Sequence, residues 1–203
     1  MMNAVMKKRI TLLASLVLLF GTAQSVFAGD AIEPGTKAPE FNLKDINGKE
    51  HALTDFLDSK YAVLMFIATQ CPVSNAYNQR MVKLFDDYAP KEVAFVGINS
   101  NKQEGVSEMK EHAAKHGFKF TILKDERNVV ADSYGAQVTP EVFVVDPAGV
   151  VRYHGRIDDS KDASEVESHD LRAALISLLE GEEPARKATK AFGCTIKRVK
   201  KES

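Results

Sequence analysis

The segment Tyr61–Ile67, with the sequence YAVLMFI, is the feature that most restricts the possible fold. Its seven residues carry no charge and do not alternate between apolar and polar. A strand with one face in solvent alternates, whereas a strand covered on both faces reads as a continuous apolar run. Cys71-Pro72 follows shortly after, and proline is tolerated at the first position of a helix. The segment therefore predicts a central strand that leads into a helix, with Cys71 at the junction.

Strand and helix patterns alternate along the rest of the chain. Asn47-Gly48 is typical of a hairpin turn with positive φ at both residues, and Asp146-Pro147-Ala148-Gly149 fits a type I turn. We predict strands at Val93–Ile98, Phe120–Leu123, 141–146 and 150–157, and helices after Pro72, around Val106–Ala113, at Asn128–Tyr134 and after an N-cap at Ser168. The sequence therefore predicts an α/β protein with a central mixed β-sheet flanked by helices and an N-terminal β-hairpin.

The N-terminal residues have the pattern of a secretory signal peptide. Lys7, Lys8 and Arg9 precede an apolar run, and Val26-Phe27-Ala28 supplies small residues at positions −3 and −1 of a cleavage site. No later apolar stretch approaches the ~20 residues of a membrane span. We expect residues 1–28 to be removed and residues 29–203 to form one domain with an irregular tail from about residue 182. The product would be periplasmic or secreted, with no stable membrane anchor.

Charge and cysteine content narrow the function. Without Lys7, Lys8 and Arg9, the 27 Lys and Arg residues fall to 24, against 28 Asp and Glu, so the net charge becomes −4. No basic stripe is present, and we expect no nucleic-acid partner. The chain has two cysteines, Cys71 and Cys194. In an oxidising compartment free thiols tend to be used or paired, so function must be sought around these two residues.

Cys71 has the surroundings of a reactive thiol. At a helix N-terminus the unpaired N–H groups and the helix dipole favour the thiolate, which is the nucleophile in disulfide exchange and in attack on peroxides. Ser74 stands three residues later, where its hydroxyl could donate a hydrogen bond to the sulfur without being oxidised. The alternative is that Cys71 is a small buried hydrophobic residue. The Cys-Pro junction favours the reactive interpretation.

The histidines give little support to a metal site. His112 and His116 are four residues apart on a predicted helix and could share a face, but no third ligand accompanies them. We interpret them as a solvated pair. His154 and His169 are isolated and receive no role. The sequence therefore predicts neither a bound metal nor a cofactor.

Four motifs resemble known redox proteins. FIATQCPVS, residues 66–74, resembles the F-W-A-T-W-C-P-P-C segment of secreted thioredoxin-like reductases, and residues 35–56 resemble the N-terminal signature of the redoxin superfamily of alkyl hydroperoxide reductases and thiol-specific antioxidant proteins. VTPEVFVVD, residues 138–146, resembles the thioredoxin segment whose Thr-Pro bond is cis and faces the active cysteine. The ending FGCTIK is similar to that of a peroxiredoxin-like subgroup. The resemblance implies a thioredoxin-like fold with Thr69, Cys71, Pro72, Ser74, Thr139 and Pro140 at the site.

Departures from these motifs separate the possible activities. Ser74 excludes a disulfide within C-x-x-C. Where peroxiredoxins have the motif P-x-x-x-T-x-x-C, this chain has Leu64 instead of the proline and Ala68 instead of the threonine. Pro140 stands at the position of a peroxiredoxin arginine. Donors that would stabilise charge on a breaking O–O bond are thus missing. The resemblance implies a thiol–disulfide oxidoreductase, with a slow thiol peroxidase as the alternative.

Cys194 leaves several interpretations open. It could be a spectator thiol, one half of a structural disulfide with Cys71, or a resolving cysteine on a mobile tail that displaces product from Cys71. We favour the resolving role. Cys71 could also act alone with an external thiol, or the domain could be a non-catalytic module that binds extended peptides. The expected partners are protein or small-molecule thiols and disulfides, with an external thiol as reductant.

Overall fold

The computed structural model describes residues 31–200, so the predicted signal peptide lies outside the described residues. No helix among residues 31–200 is long and apolar enough to cross a membrane. The strands are β1 (Asn42–Asp45), β2 (Glu50–Ala52), β3 (Tyr61–Phe66), β4 (Val93–Asn99), β5 (Thr121–Lys124), β6 (Val138–Thr139), β7 (Glu141–Val145), β8 (Val151–Gly155) and β9 (Cys194–Thr195). The helices are α1 (Pro72–Ala76), α2 (Asn78–Tyr88), α3 (Val106–His116), α4 (Val129–Tyr134) and α5 (Asp170–Leu179), with 3₁₀ turns at Leu53–Phe56, Ala89–Lys91 and Ala163–Glu165.

Seven strands form a mixed sheet in the order β2-β1-β5-β4-β3-β7-β8. Strands β3, β4 and β5 are parallel neighbours, while β1 and β7 pair antiparallel with β5 and β3. The hairpin of β1 and β2 extends one edge, and β8 closes the other. The predicted α/β class, mixed sheet and N-terminal hairpin are confirmed. Parallel strands end at the same edge of a sheet, so the segments that follow β3 and β4 are brought together.

Strand β3 is buried on both faces, as its continuous apolar run predicts. Val63 and Met65 point into a core formed with α2, α3 and α5. Leu64 and Phe66 point to the opposite side, into a second core that includes α4. The two cores fix the direction in which β3 leaves the sheet. Cys71, at the start of α1, therefore follows a strand that is closely packed on both faces.

The predicted hairpin turn and the helix after Ser168 both form, but one turn residue and one N-cap differ from the prediction. The hairpin between β1 and β2 forms, but positive φ (88°) occurs at Gly48 and not at Asn47, whose N–H is bound by the Asp45 carboxylate. Helix α5 begins one residue later than expected, with His169 rather than Ser168 as N-cap. The Ser168 hydroxyl instead donates to the Asp170 carboxylate (3.0 Å). These differences leave the arrangement of the elements unchanged.

The C-terminal tail is held along its length rather than free. Three groups of contacts secure it: backbone bonds of Lys187 and Thr189 to His154, pairing of β9 with β6, and bonds from the Lys197 and Val199 N–H groups to the side chains of Asn101 and Asn128. Ile196 is buried in the second core. The tail therefore has little regular secondary structure beyond β9, but backbone and side-chain bonds hold it against the domain. In this oxidised form, the tail is fixed on both sides of Cys194.

Candidate functional site

Cys71 is the N-cap of α1, and Pro72 is the first residue of that helix, as predicted. The Cys71 side chain is 4% exposed. The backbone N–H of Ser74 donates to its sulfur over 3.3 Å, which is the ordinary bond of an N-cap side chain. Strand β3 and the loop at residues 67–70 lead directly to this position. The helix terminus thus provides a donor directed at the sulfur atom.

Cys71 and Cys194 form a disulfide bond. Their Cα atoms are 5.8 Å apart, within the usual range for a bridge, although 123 residues separate them in the chain. Cys194 is half-buried, whereas Cys71 is covered. The partner that C-x-x-S lacks locally is therefore supplied by the tail, from a residue that is less buried than Cys71.

The Thr139-Pro140 peptide bond is cis and lies beside the disulfide, as the resemblance implied. The Cys71 sulfur is 3.4 Å from the Thr139 carbonyl oxygen. A substrate strand that bound by β-strand addition would pair with the backbone of Thr139. Instead β6 pairs antiparallel with β9, which sets Thr139 opposite Cys194 and Val138 opposite Thr195. The protein's own tail therefore occupies the edge that a substrate would need.

Ser74 and Thr69 direct their hydroxyls away from the sulfur. The Ser74 hydroxyl accepts from the Ala68 N–H (3.2 Å), so the expected bond from this hydroxyl to Cys71 is absent here and the backbone N–H of Ser74 takes its place. The Thr69 hydroxyl donates to the Glu108 carboxylate. Asn75 donates from its amide to the Thr69 carbonyl (2.9 Å). These side chains shape the loop that precedes Cys71.

The tail approaches the site closely at Gly193. A Cβ atom built at this residue would lie well under 3.0 Å from the Thr139 carbonyl oxygen, closer than real Cβ atoms approach. Phe192 packs against the ring of Tyr77 at the junction of α1 and α2, with 6.3 Å between ring centroids. Glycine at position 193 is therefore required for β9 to lie against β6. This explains the Gly-Cys pair that resembles the subgroup ending.

Two buried carboxylates that sequence reasoning missed support the site. Glu104 accepts hydrogen bonds from the N–H groups of Thr69 (2.7 Å) and Gln70 (3.2 Å). The Glu141 carboxylate accepts from the N–H groups of residues 137 and 138, and pairs with His154 over 2.7 Å. His154, to which the sequence analysis gave no role, therefore binds the carboxylate that holds residues 137 and 138. A usable signal was the polar run at residues 99–104 directly after β4, at the sheet edge where β3 also ends.

The predicted histidine pair lies on α3. The ring centroids of His112 and His116 are 4.4 Å apart, and the His112 ring nitrogen is bound to the Asn78 amide (3.2 Å). Burial lowers the pKa of His112, and the neighbouring His116 adds to this effect. Within residues 31–200, no three His, Cys, Asp or Glu side chains are placed to hold a metal ion. The pair is better described as packing beside Phe118 than as a ligand set.

We predict that the reduced Cys71 thiol has a pKa below the ~8.5 of free cysteine, because the Ser74 N–H and the helix terminus stabilise the thiolate. The rate of iodoacetamide labelling should therefore rise through an inflection below pH 8.5. The measurement uses reduced Cys194→Ser protein, so that Cys71 is the labelled thiol. An inflection at or above the free value would return Cys71 to a structural role.

Comparison with known proteins agrees with this geometry. A family model described as the AhpC/TSA family matches residues 34–154. The chain is 31% identical over 130 residues to the thiol-disulfide oxidoreductase ResA of Bacillus subtilis, which covers 63% of this chain and 70% of that protein. It is 27% identical over 150 residues to the chloroplastic peroxiredoxin Q of Gentiana triflora, covering 70% and 67%.

A solved structure matches a larger share of the chain than the family model does. The crystal structure of an uncharacterized conserved protein from Geobacillus kaustophilus is similar with a TM-score of 0.78 and 35% identity, over 83% of this chain and 94% of that one. The thioredoxin-like fold is confirmed, and the names of the curated relatives confirm the expected class of oxidoreductase. Because the family model spans more than half of the chain, this protein belongs to the AhpC/TSA family.

Proposed function

We propose that this protein is an exported thiol–disulfide oxidoreductase in which Cys71 is the nucleophile and Cys194 the resolving cysteine. The observation that carries the proposal is the Cys71–Cys194 bond, which joins a helix N-cap to a tail strand lying on the cis-proline loop. A bond that served stability alone would have no need of either feature. The similarity to ResA, named a thiol-disulfide oxidoreductase, adds support.

The forward reaction begins with the reduced protein. The Cys71 thiolate attacks one sulfur of a substrate disulfide, whose S–S bond breaks and releases the first substrate thiolate. Cys71 is then joined to the second substrate sulfur. Cys194, after losing its proton, attacks the Cys71 sulfur and expels the second substrate thiolate. Two electrons have passed from the protein to the substrate, and the protein holds the bond seen in the structure.

The difference in burial between Cys71 and Cys194 suggests how the protein is reset. An external thiolate would attack Cys194, the half-buried partner, and Cys71 would leave as the thiolate. A low pKa favours a leaving group in this exchange. A second external thiol then releases Cys194 and becomes part of a small-molecule or protein disulfide. The external thiol is thus the reductant of the cycle.

The attack by Cys194 would also displace the product from its binding edge. When Cys194 attacks, β9 takes its place beside β6, and the backbone groups of Val138 and Thr139 bind the tail. A substrate strand at the same edge would be displaced by strand exchange. Closing the disulfide therefore ejects the product and covers Cys71 in one movement.

Thiol counting and a substrate panel test the proposal. The isolated protein should have no free thiol under denaturing conditions and two after reduction. The reduced protein should accelerate reduction of insulin disulfides by dithiothreitol, while hydrogen peroxide should be consumed no faster than by a free cysteine. Rapid consumption of peroxide without disulfide reduction would favour a thiol peroxidase. Peptide binding without turnover would favour a binding module.

A further inference from the structure

Glu104 is an almost fully buried carboxylate, 1% exposed, in the segment between β4 and α3. Besides the N–H groups of Thr69 and Gln70, it accepts from the side-chain amides of Asn99 (2.5 Å) and Asn101 (2.9 Å). Four N–H groups thus converge on its two oxygen atoms. Thr69 and Gln70 are the two residues immediately before Cys71. The carboxylate therefore fixes the backbone that presents the nucleophile.

The same network reaches the tail. The side-chain oxygen of Asn101 accepts from the backbone N–H of Lys197 (2.7 Å), and the N–H of Lys102 donates to the Lys197 carbonyl (2.9 Å). Lys197 follows Cys194 by three residues. Asn101 therefore binds Glu104 through one end of its amide and the tail through the other. One carboxylate is connected to the chain segments of both cysteines.

The arrangement requires an acceptor with two oxygens. A carboxylate accepts at both ends, whereas the amide of glutamine would turn one NH₂ group toward N–H donors. A buried donor left without a partner loses the bond it made to water in the unfolded chain and gains none in return. Lys124 lies alongside, donating to the Asn101 carbonyl (2.7 Å). Burial lowers the pKa of Lys124, and attraction to Glu104 opposes that change.

We propose that Glu104 is a positioning residue for disulfide exchange. It holds the loop before Cys71 and, through Asn101, the tail after Cys194 in the register at which the two sulfurs meet. It touches neither sulfur and acts through the backbone on either side of them. The proposal rests on the proposed function, since it assigns the network to the closing of the Cys71–Cys194 bond.

Two variants and a matched control test this role. Glu104→Gln replaces the acceptor at the centre. Asn101→Ala removes the side chain that joins Glu104 to the Lys197 N–H, and it leaves the bonds from Thr69 and Gln70 to Glu104 in place. Glu111→Gln makes the same chemical change at an exposed residue of α3. The equilibrium constant for closing the disulfide is measured in dithiothreitol redox buffers, and the iodoacetamide labelling rate of Cys71 is measured for each change in a Cys194→Ser background.

We expect Glu104→Gln to lower the closing constant at least roughly tenfold and to alter the Cys71 labelling rate more than about twofold, which follows from one unpaired buried donor. Asn101→Ala should lower the closing constant to a similar extent and leave Cys71 labelling within about twofold, because the Thr69 and Gln70 bonds remain. Glu111→Gln should match the wild type in both measurements. A general loss of stability would change both measurements in both variants. It would not lower the closing constant in Asn101→Ala while leaving Cys71 labelling unchanged.

The outcomes distinguish the two proposals. A wild-type protein whose disulfide does not open and close reversibly would contradict the proposed function itself. A reversible wild-type disulfide with unchanged closing constants in Glu104→Gln and Asn101→Ala would overturn the positioning role alone. If Glu104→Gln does not fold, Asn101→Ala decides: a tenfold fall supports the role, and a wild-type value overturns it.

Discussion

Replacing Cys194 by serine should turn a transient mixed disulfide into a stable one. Cys71 can still attack a substrate disulfide, but no thiolate in the same chain can then expel the product. Intramolecular attack by an oriented group corresponds to a very high effective concentration, so release of the second substrate thiol from the reduced protein, in a single turnover without added thiol, should slow by roughly two orders of magnitude or more. The first substrate thiol should nevertheless be released in a burst of one equivalent. Mass spectrometry of the product should find the remaining half of the substrate on Cys71.

Two further variants serve as controls for this experiment. Cys71→Ser should release no thiol and capture nothing, because Cys194 is not placed at a helix terminus. The double variant should behave like Cys71→Ser. If Cys194→Ser releases the second substrate thiol at the wild-type rate without added thiol, the bond in the structure is not the resolving step. The reaction would then depend on Cys71 and an external thiol alone.

Replacing Gly193 by alanine should produce the second large effect. The added Cβ would meet the Thr139 carbonyl group, which is part of the backbone and cannot turn aside like the end of a flexible side chain. Overpacking of this kind costs about 1–3 kcal/mol, equivalent to a roughly fivefold to 150-fold fall in the closing constant of the disulfide. Quantifying the open and closed forms by maleimide gel shift in dithiothreitol buffers measures the change.

The effect should be confined to the oxidised form. In the reduced protein the tail can withdraw, so urea denaturation of reduced Gly193→Ala should give nearly the wild-type midpoint. Lys190→Ala, a change at an exposed tail residue, serves as the control and should leave both measurements unchanged. A wild-type closing constant for Gly193→Ala would mean that Cys194 reaches Cys71 without the pairing of β9 and β6.

The fold could be predicted because its main determinants are local. The run at Tyr61–Ile67 specified a strand buried on both faces, and Cys71-Pro72 specified where the next helix begins. The errors arose where a longer-range contact decided the outcome. Ser168 is a good N-cap by type, but its hydroxyl is bound to Asp170, which in turn pairs with Arg156 over 2.7 Å. Local propensity carries no information about such a partner.

The site was predictable only in part for a related reason. Cys71, Thr139 and Pro140 belong to short motifs whose geometry is set within a few residues. The pairing of β9 with β6 joins segments more than 50 residues apart, and two residues are too short to show a strand pattern. Glu104 reaches the Cys71 loop through the backbone N–H groups of Thr69 and Gln70, and every residue type except proline provides such a group, so the sequence does not mark this long-range contact.

The long separation between the two cysteines also affects how the protein is made. Synthesis proceeds from the N-terminus, so Cys71 emerges 123 residues before Cys194. At about 5–20 residues per second, that interval is on the order of ten seconds. Throughout it, the nascent chain contains one cysteine and cannot close the bond on itself. The disulfide is therefore completed among the last steps of biogenesis, and a product truncated before residue 194 would keep the seven-stranded sheet with a permanently unpaired Cys71 and an unoccupied β6 edge.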